Sequence, residues 1–367
     1  MGIIMSRLLQ AVENMYMYML AATNLTWRRP KRAYAIVDVA GKGKGVVATV
    51  DIPKGTRIIC ETPILILDQR VPNTPAYVQQ LDSHIFKQMY ALSVDQQLDI
   101  VSMSNIYPYK DLKEMHRGIM RTNALPCGPD LSFAGLFLQA CRINHACDNN
   151  AQNFWNDNID KLTIHAVRDI GQGEEITISY LSSSQNPQAR QQELQHNFKF
   201  SCACRLCSLP SEQSKALDAK LDRIVEIDTI IEEAGTQGLV SPARRMLGYV
   251  DEQVRLWDGH TIGLARAYPD ALQIAIANGD LARARVFAGR ALQLCLIAMG
   301  DDSPDVTEYA GLVRDPTAHP YYGMSMQWKT GLRDAPQDMD LEEFENWLWK
   351  RNGRAVRKKY VKPRAGA

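Results

Sequence analysis

No stretch of this 367-residue chain approaches the roughly 20 consecutive apolar residues that a bilayer-spanning helix needs. Neither sign of charge is in excess: 42 Lys and Arg face 41 Asp and Glu. The overall field therefore gives no reason to expect direct nucleic-acid or membrane binding. No unit recurs at a fixed period, so a regular repeat array has no support. No Gly-Lys-Ser or Gly-Lys-Thr closes a glycine run, which removes a phosphate-binding loop. The apolar run Met15–Ala22 is short and follows Glu13 and Asn14. It reads as an amphipathic or poorly ordered leader within a 1–32 extension rather than a targeting signal. Without a signal peptide, the eight cysteines are expected in a reducing compartment (nucleus, cytoplasm or both), where clustered thiols point to metal rather than disulfides.

What is present falls into two textures. Tyr34–Val39 reads as a strand, Val46–Val50 as a second, and Thr56–Ile59 as a third after the turn Pro53-Lys54-Gly55. A mostly helical stretch over 74–120 follows, with Ser93 ahead of Asp95-Gln96-Gln97 as a helix start. Strands return at Leu162–Val167 and Glu175–Tyr180. From Ser211 onward Leu217, Leu221, Ile224, Ile227 and Ile231 recur at helical intervals. Tyr268–Asn278 and Leu281–Met299 read as a helix pair joined by Gly279-Asp280, with Ala282, Ala284, Ala288 and Ala291 permitting close packing. Leu341–Trp349 closes with a short helix, before a basic tail over 351–367.

The glycine run Gly41-Lys42-Gly43-Lys44-Gly45 has a misleading side. Gly43-x-Gly45-x-x-Ala48 matches the dinucleotide-binding fingerprint, whose turn must open a helix. Here Val46, Val47, Thr49 and Val50 are β-branched, and Pro53 would break any helix begun there. Strand–turn–strand fits better, with bare glycine backbone free to approach another group closely.

Cys202-x-Cys204-x-x-Cys207 supplies three thiols at metal-ligand spacing, and a closed tetrahedral zinc site needs a fourth thiolate or imidazole. The segment Asn144-His145-Ala146-Cys147 offers one. His145 and His196 are poorer choices, because no His-x-His or Cys-x-His spacing frames them. Cys60, Cys127, Cys141 and Cys295 lack a partner pattern and read as core residues.

Four motifs in order resemble a SET-domain protein methyltransferase of the SET and MYND-finger group. Gly41–Gly45 with Ile52-Pro53-Lys54-Gly55 resembles the opening of that domain, and Arg142–Asn150 its asparagine–histidine motif. Gly173–Tyr180 resembles its catalytic strand, and Phe198–Cys207 its post-SET cysteine cluster. Two departures stand out. No cysteine–histidine series for a MYND finger lies between Gly45 and Leu131, and Asn149 replaces a common proline. The resemblance implies an α+β fold: a mostly β SET domain over 33–208 with a helical insert (about 74–129) and a post-SET zinc cluster (198–207). An α-helical, tetratricopeptide-like domain over 209–350 would follow.

It also implies a function, S-adenosylmethionine-dependent methyl transfer to a protein lysine, on histones or other proteins. The alternative is a catalytically silent, zinc-stabilised interaction module. In the catalytic reading Tyr180 is the catalytic phenol. Lys42, Gly43, Lys44, Asn144, His145, Phe198, Lys199 and Phe200 hold S-adenosylmethionine, with His145 acting mainly through its backbone. Cys147, Cys202, Cys204 and Cys207 hold Zn2+, with Lys199 and Arg205 offsetting the thiolate charge. A concave face of the helical domain is expected to take a peptide partner.

Overall fold

The computed structural model describes residues 32–70, 74–181 and 186–351. The apolar leader and the basic run Arg354–Lys359 lie outside these residues. β1 (Tyr34–Val39) and β2 (Gly43–Ala48) form an antiparallel hairpin. Gly43, at φ +71°, completes its turn in a conformation that a side chain would strain. The glycine run is therefore a hairpin turn, and no helix follows it.

β3 (Arg57–Glu61) and β4 (Leu65–Asp68) lead into the insert, made of α1 (Pro75–Tyr90), α2 (Val94–Val101) and α3 (Leu112–Asn123). Ser93 caps α2 as the sequence predicts: its Oγ accepts from Gln96 N at 3.3 Å, and Gln96 Oε1 accepts from Ser93 N at 3.0 Å. Five short strands and one helix were not apparent from sequence pattern, β4 among them. β5 (Leu125–Cys127), β6 (Phe133–Leu136) and β7 (Asn144–His145) span two to four residues, too few to show a period. β8 (Ala151–Asn156) does not alternate cleanly. β9 (Lys161–Ala166) and β10 (Glu175–Ile178) fall where expected, although β10 stops two residues before Tyr180.

Among the described residues these strands make three small sheets, ordered β1-β2-β10-β7, β3-β9-β8 and β4-β6-β5. Val46, Phe137, Ile164, Ile176 and Ile178 share the β core and are nearly or fully buried. Each such side chain contributes about 1.5–3 kcal/mol. The register matters most for the site. β10 runs antiparallel to β2, with Ile176 opposite Val46, and parallel to β7, with Thr177 opposite Asn144 and Ile178 opposite His145. Glycine turn, asparagine–histidine pair and tyrosine strand thereby meet at one end of one sheet.

α4 (Pro187–Phe198) buries only Arg190 and Leu194, so its sequence carries no apolar stripe. The helical region comprises α5 (Ser211–Gly238), α6 (Ala243–Trp257), α7 (Thr261–Ala277), α8 (Leu281–Met299), α9 (Pro304–Arg314) and α10 (Leu341–Leu348). α7 starts seven residues earlier than its pattern suggests, running through Pro269. Ala282, Ala284, Ala288 and Ala291 are buried, as close packing requires. This region packs α8 against β8 and β9 of the β core, and polar contacts tie the junction. Arg57 holds Asp302 through both guanidinium nitrogens, one at 3.0 Å. Asn156 Nδ2 donates to the same carboxylate at 2.8 Å, and Thr261 Oγ1 donates to Val167 O at 3.1 Å.

Candidate active site and metal centre

The sulfurs of Cys147, Cys202, Cys204 and Cys207 lie within 4.8 Å of one another. Cys147 Sγ is 3.9 Å from Cys202 Sγ and 3.5 Å from Cys207 Sγ. Tetrahedral zinc with Zn–S bonds of about 2.3 Å requires S···S separations of about 3.8 Å, so the four thiols fit the ion. A hydrogen bond with Cys202 pushes the Cys147 thiol far up, while the same contact pulls Cys202 far down. Four thiols this close resist ionising together unless a cation sits among them.

The expected charge partners differ from those observed. Lys199 is exposed, with Nζ donating to His196 O at 2.8 Å, and Arg205 pairs with Asp148 at 2.9 Å. Arg190, 3 % exposed on α4, reaches Cys207 Sγ at 3.9 Å instead. The unpatterned cysteines also divide. Cys127 and Cys295 are buried, but Cys60 is exposed and is no core residue. Cys141 lies beneath the site, with its thiol pushed up to about 12 by burial.

Tyr180 stands at the junction of two cavities. One, of about 360 Å³, is lined by Lys42, Gly43, Lys44, Asn144, Phe198 and Phe200 together with the tyrosine. The other, of about 890 Å³, takes Leu125, Trp155, Ile178 and Asp305 into its wall. Thr122, Asn123, Cys141, Tyr180 and Phe198 line both. The Tyr180 hydroxyl donates to Ile143 O at 2.6 Å, and its backbone N–H donates to His145 Nδ1 at 3.0 Å. Burial pushes the phenol up, so it remains protonated at neutral pH. Lys199 occupies the left-handed region at φ +62° where α4 ends, so the chain turns sharply between Phe198 and Phe200. Both flanking rings line the smaller cavity. Phe198 lies 5.0 Å from Tyr180, and Phe200 lies 6.1 Å from His145.

Of the eight residues expected around the cofactor, six line the smaller cavity. His145 and Lys199 do not. A further participant, Glu175, was not apparent from the sequence. Its Oε1 accepts from Asn144 Nδ2 at 2.8 Å, and its Oε2 pairs with Lys42 Nζ at 2.6 Å. A Cβ on Gly45 would stand 2.8 Å from Asn144 Nδ2 and 3.0 Å from Glu175 Oε1, so bare backbone makes this cluster possible. Asn149, in the place of a proline, is buried and donates to Ala151 O at 2.8 Å. Asn150 ties the motif to β10 through Glu175 O and Thr177 N, both at 2.8 Å.

The comparisons accord with this geometry. Residues 43–181 match the SET domain family. The histone-lysine N-methyltransferase set5 of Schizosaccharomyces pombe is 26% identical over 324 residues, covering 86% of this chain and 93% of that protein. The protein-lysine N-trimethyltransferase SMYD5 of Danio rerio is 40% identical over 77 residues, 20% of this chain and 19% of that protein. The histone-lysine N-methyltransferase SMYD3 of Homo sapiens is 29% identical over 121 residues, 32% of this chain and 28% of that protein. The chain thus spans nearly all of the first relative and under a third of the other two. With its SET-like mixed β core, a cysteine cluster able to hold a metal and a helical, repeat-like C-terminal region, the chain is related to the SET-domain methyltransferases.

Proposed function

We propose that the protein is an S-adenosylmethionine-dependent protein-lysine N-methyltransferase. The observation that carries the reading is the meeting of two cavities at Tyr180. One cavity receives the methyl donor and the other the lysine, with the phenol between them. The donor supplies a sulfonium-bound methyl group, a leaving arrangement that needs alignment more than activation.

Lys42, Lys44 and Asn144 would face the donor's amino-acid end, and Phe198 with Phe200 would cover its ring system. A lysine ammonium titrates at about 10.4 in water, so its proton must pass to solvent before the nitrogen can attack. The apolar and aromatic groups packed around Tyr180, Ile178 and Phe198 among them, favour the neutral amine there, while the carboxylates of the same cavity attract the arriving ammonium. The Tyr180 hydroxyl already donates to Ile143 O, which leaves its oxygen lone pairs to accept from the amine N–H and aim its lone pair. As a buried phenol it orients and does not act as a strong base.

The zinc site has no open position, and its role is to hold the segment bearing Phe200 across the cleft. Charge supports a cationic substrate. The larger cavity is lined by Asp130, Asp157 and Asp305, with no Lys, Arg or His among the described lining residues. The overall charge balance conceals this local excess. Histone and other protein lysines both meet the requirement.

The test uses zinc-loaded protein, methyl-labelled S-adenosylmethionine, and histones alongside a mixed protein lysate. Label recovered on lysine side chains supports the assignment. Cofactor binding without label on any lysine would move the protein to the silent interaction module.

A further inference from the structure

We infer that His145 is a positioning residue that ties the metal centre to the backbone of Tyr180. Its place beside the tyrosine follows from strand register, because β7 and β10 run parallel with Ile178 opposite His145. The imidazole is 4 % exposed and lies near the rings of Tyr180, at 5.4 Å, and Phe200, at 6.1 Å. Nδ1 accepts the backbone N–H of Tyr180 at 3.0 Å. A nitrogen that accepts carries no proton, which places the ring's hydrogen on Nε2. Nε2 stands 3.2 Å from Cys147 Sγ, so with the hydrogen on Nε2 the ring is the donor to that sulfur.

One rigid ring therefore makes two hydrogen bonds with opposite duties. It donates to a thiol of the metal cluster and accepts from the amide of the residue that separates the two cavities. Donation to a thiolate spreads its charge and fixes its direction, as groups beyond the ligands do in metal sites. Acceptance fixes where the chain leaves β10, and with it the start of the Tyr180 side chain. His145 lines neither cavity, so this function is separate from donor or lysine binding. The metal, by this geometry, stabilises the tyrosine as well as the post-SET segment. Only the significance of that last link rests on the methyltransferase reading. Both hydrogen bonds can be tested without turnover.

Two substitutions divide the ring's duties. In His145→Asn the amide oxygen can take the place of Nδ1, but nothing reaches Cys147. In His145→Gln the amide nitrogen can take the place of Nε2, but the acceptor for Tyr180 N–H is lost. Zinc affinity is read by competition with a chromophoric chelator, and the Tyr180 amide by hydrogen exchange on the zinc-loaded protein. His145→Asn is expected to lose about 10-fold or more in zinc affinity while keeping the amide protected. His145→Gln is expected to hold zinc within about 3-fold of wild type while the Tyr180 amide exchanges faster. Circular dichroism confirms that each variant is folded. Wild-type zinc affinity in folded His145→Asn, or wild-type protection of Tyr180 in folded His145→Gln, overturns the inference. Identical losses of both properties in the two variants also overturn it, since they would indicate general loosening.

Discussion

Asn144 and Glu175 show how a residue's role depends on what its neighbours leave open. The asparagine amide reaches Glu175 only because Gly45 has no side chain. Asn144→Ala removes one charged hydrogen bond and a proposed contact to the donor, and should weaken S-adenosylmethionine binding about 10-fold, or about 1.4 kcal/mol. Isothermal calorimetry checks this, and unaltered affinity would take Asn144 out of the site. Gly45→Ala forces a Cβ to 2.6 Å from Val39 Cγ2 and 2.8 Å from Asn144 Nδ2. A loss of about 1–3 kcal/mol is expected from such overpacking, visible in thermal denaturation, and an unshifted midpoint would argue against the tight cluster. Residue types at the site were legible because chemistry restricts them: three spaced thiols, an asparagine–histidine pair, a tyrosine closing a strand. Glu175 and Arg190 were not legible, since a glutamate on a strand and an arginine on a polar helix look like ordinary surface positions until the fold brings them to Lys42 and Cys207.

At the level of elements, the decisive event is parallel pairing between β10 and the two-residue β7. No local pattern announces so short a strand, and its partner lies some thirty residues further along the chain. The hairpin, the capped α2 and the start of α5 at Ser211 were readable because turn, cap and period are local properties. The four-cysteine cluster, able to hold a metal, acts as an element in its own right, joining the chain just after β7 to the segment after α4. Cys204→Ser should lower bound zinc below one equivalent and open the chain near Phe200 to protease. Emission or mass spectrometry measures the metal, and unchanged stoichiometry with unchanged proteolysis would contradict the four-thiol assignment.

Over the whole molecule, sequence showed two textures but not their junction, because that junction packs α8 against β8 and β9, far apart in the chain. Arg57 on β3, Asp302 after α8 and His165 on β9 form its polar part. His165 Nε2 accepts from Arg57 Nε at 3.1 Å and therefore carries no proton. Burial first, and Arg57 second, lower this histidine to about 4. The unfolded chain takes up a proton near pH 6.5 while the folded chain does not until about pH 4, so stability falls as pH drops between those values. The loss is on the order of 3 kcal/mol. His165→Gln keeps an acceptor without a titrating ring, and should flatten urea-denaturation stability across pH 6.5 to 4. An identical slope in wild type and variant would place the sensitivity elsewhere. The same junction brings Asp305 to the larger cavity, so the helical region helps line the space proposed for the lysine.

If Tyr180, between two cavities, aligns a lysine with the methyl donor, its hydroxyl matters for transfer and not for donor binding. Labelled methyl transfer by wild type and Tyr180→Phe at saturating S-adenosylmethionine, with donor affinity measured on the same samples, separates the two. Turnover is expected to fall about 100-fold or more, with affinity within about 3-fold of wild type. Equal turnover in the two proteins, or an equal loss of binding and turnover, would contradict the assigned role of the phenol.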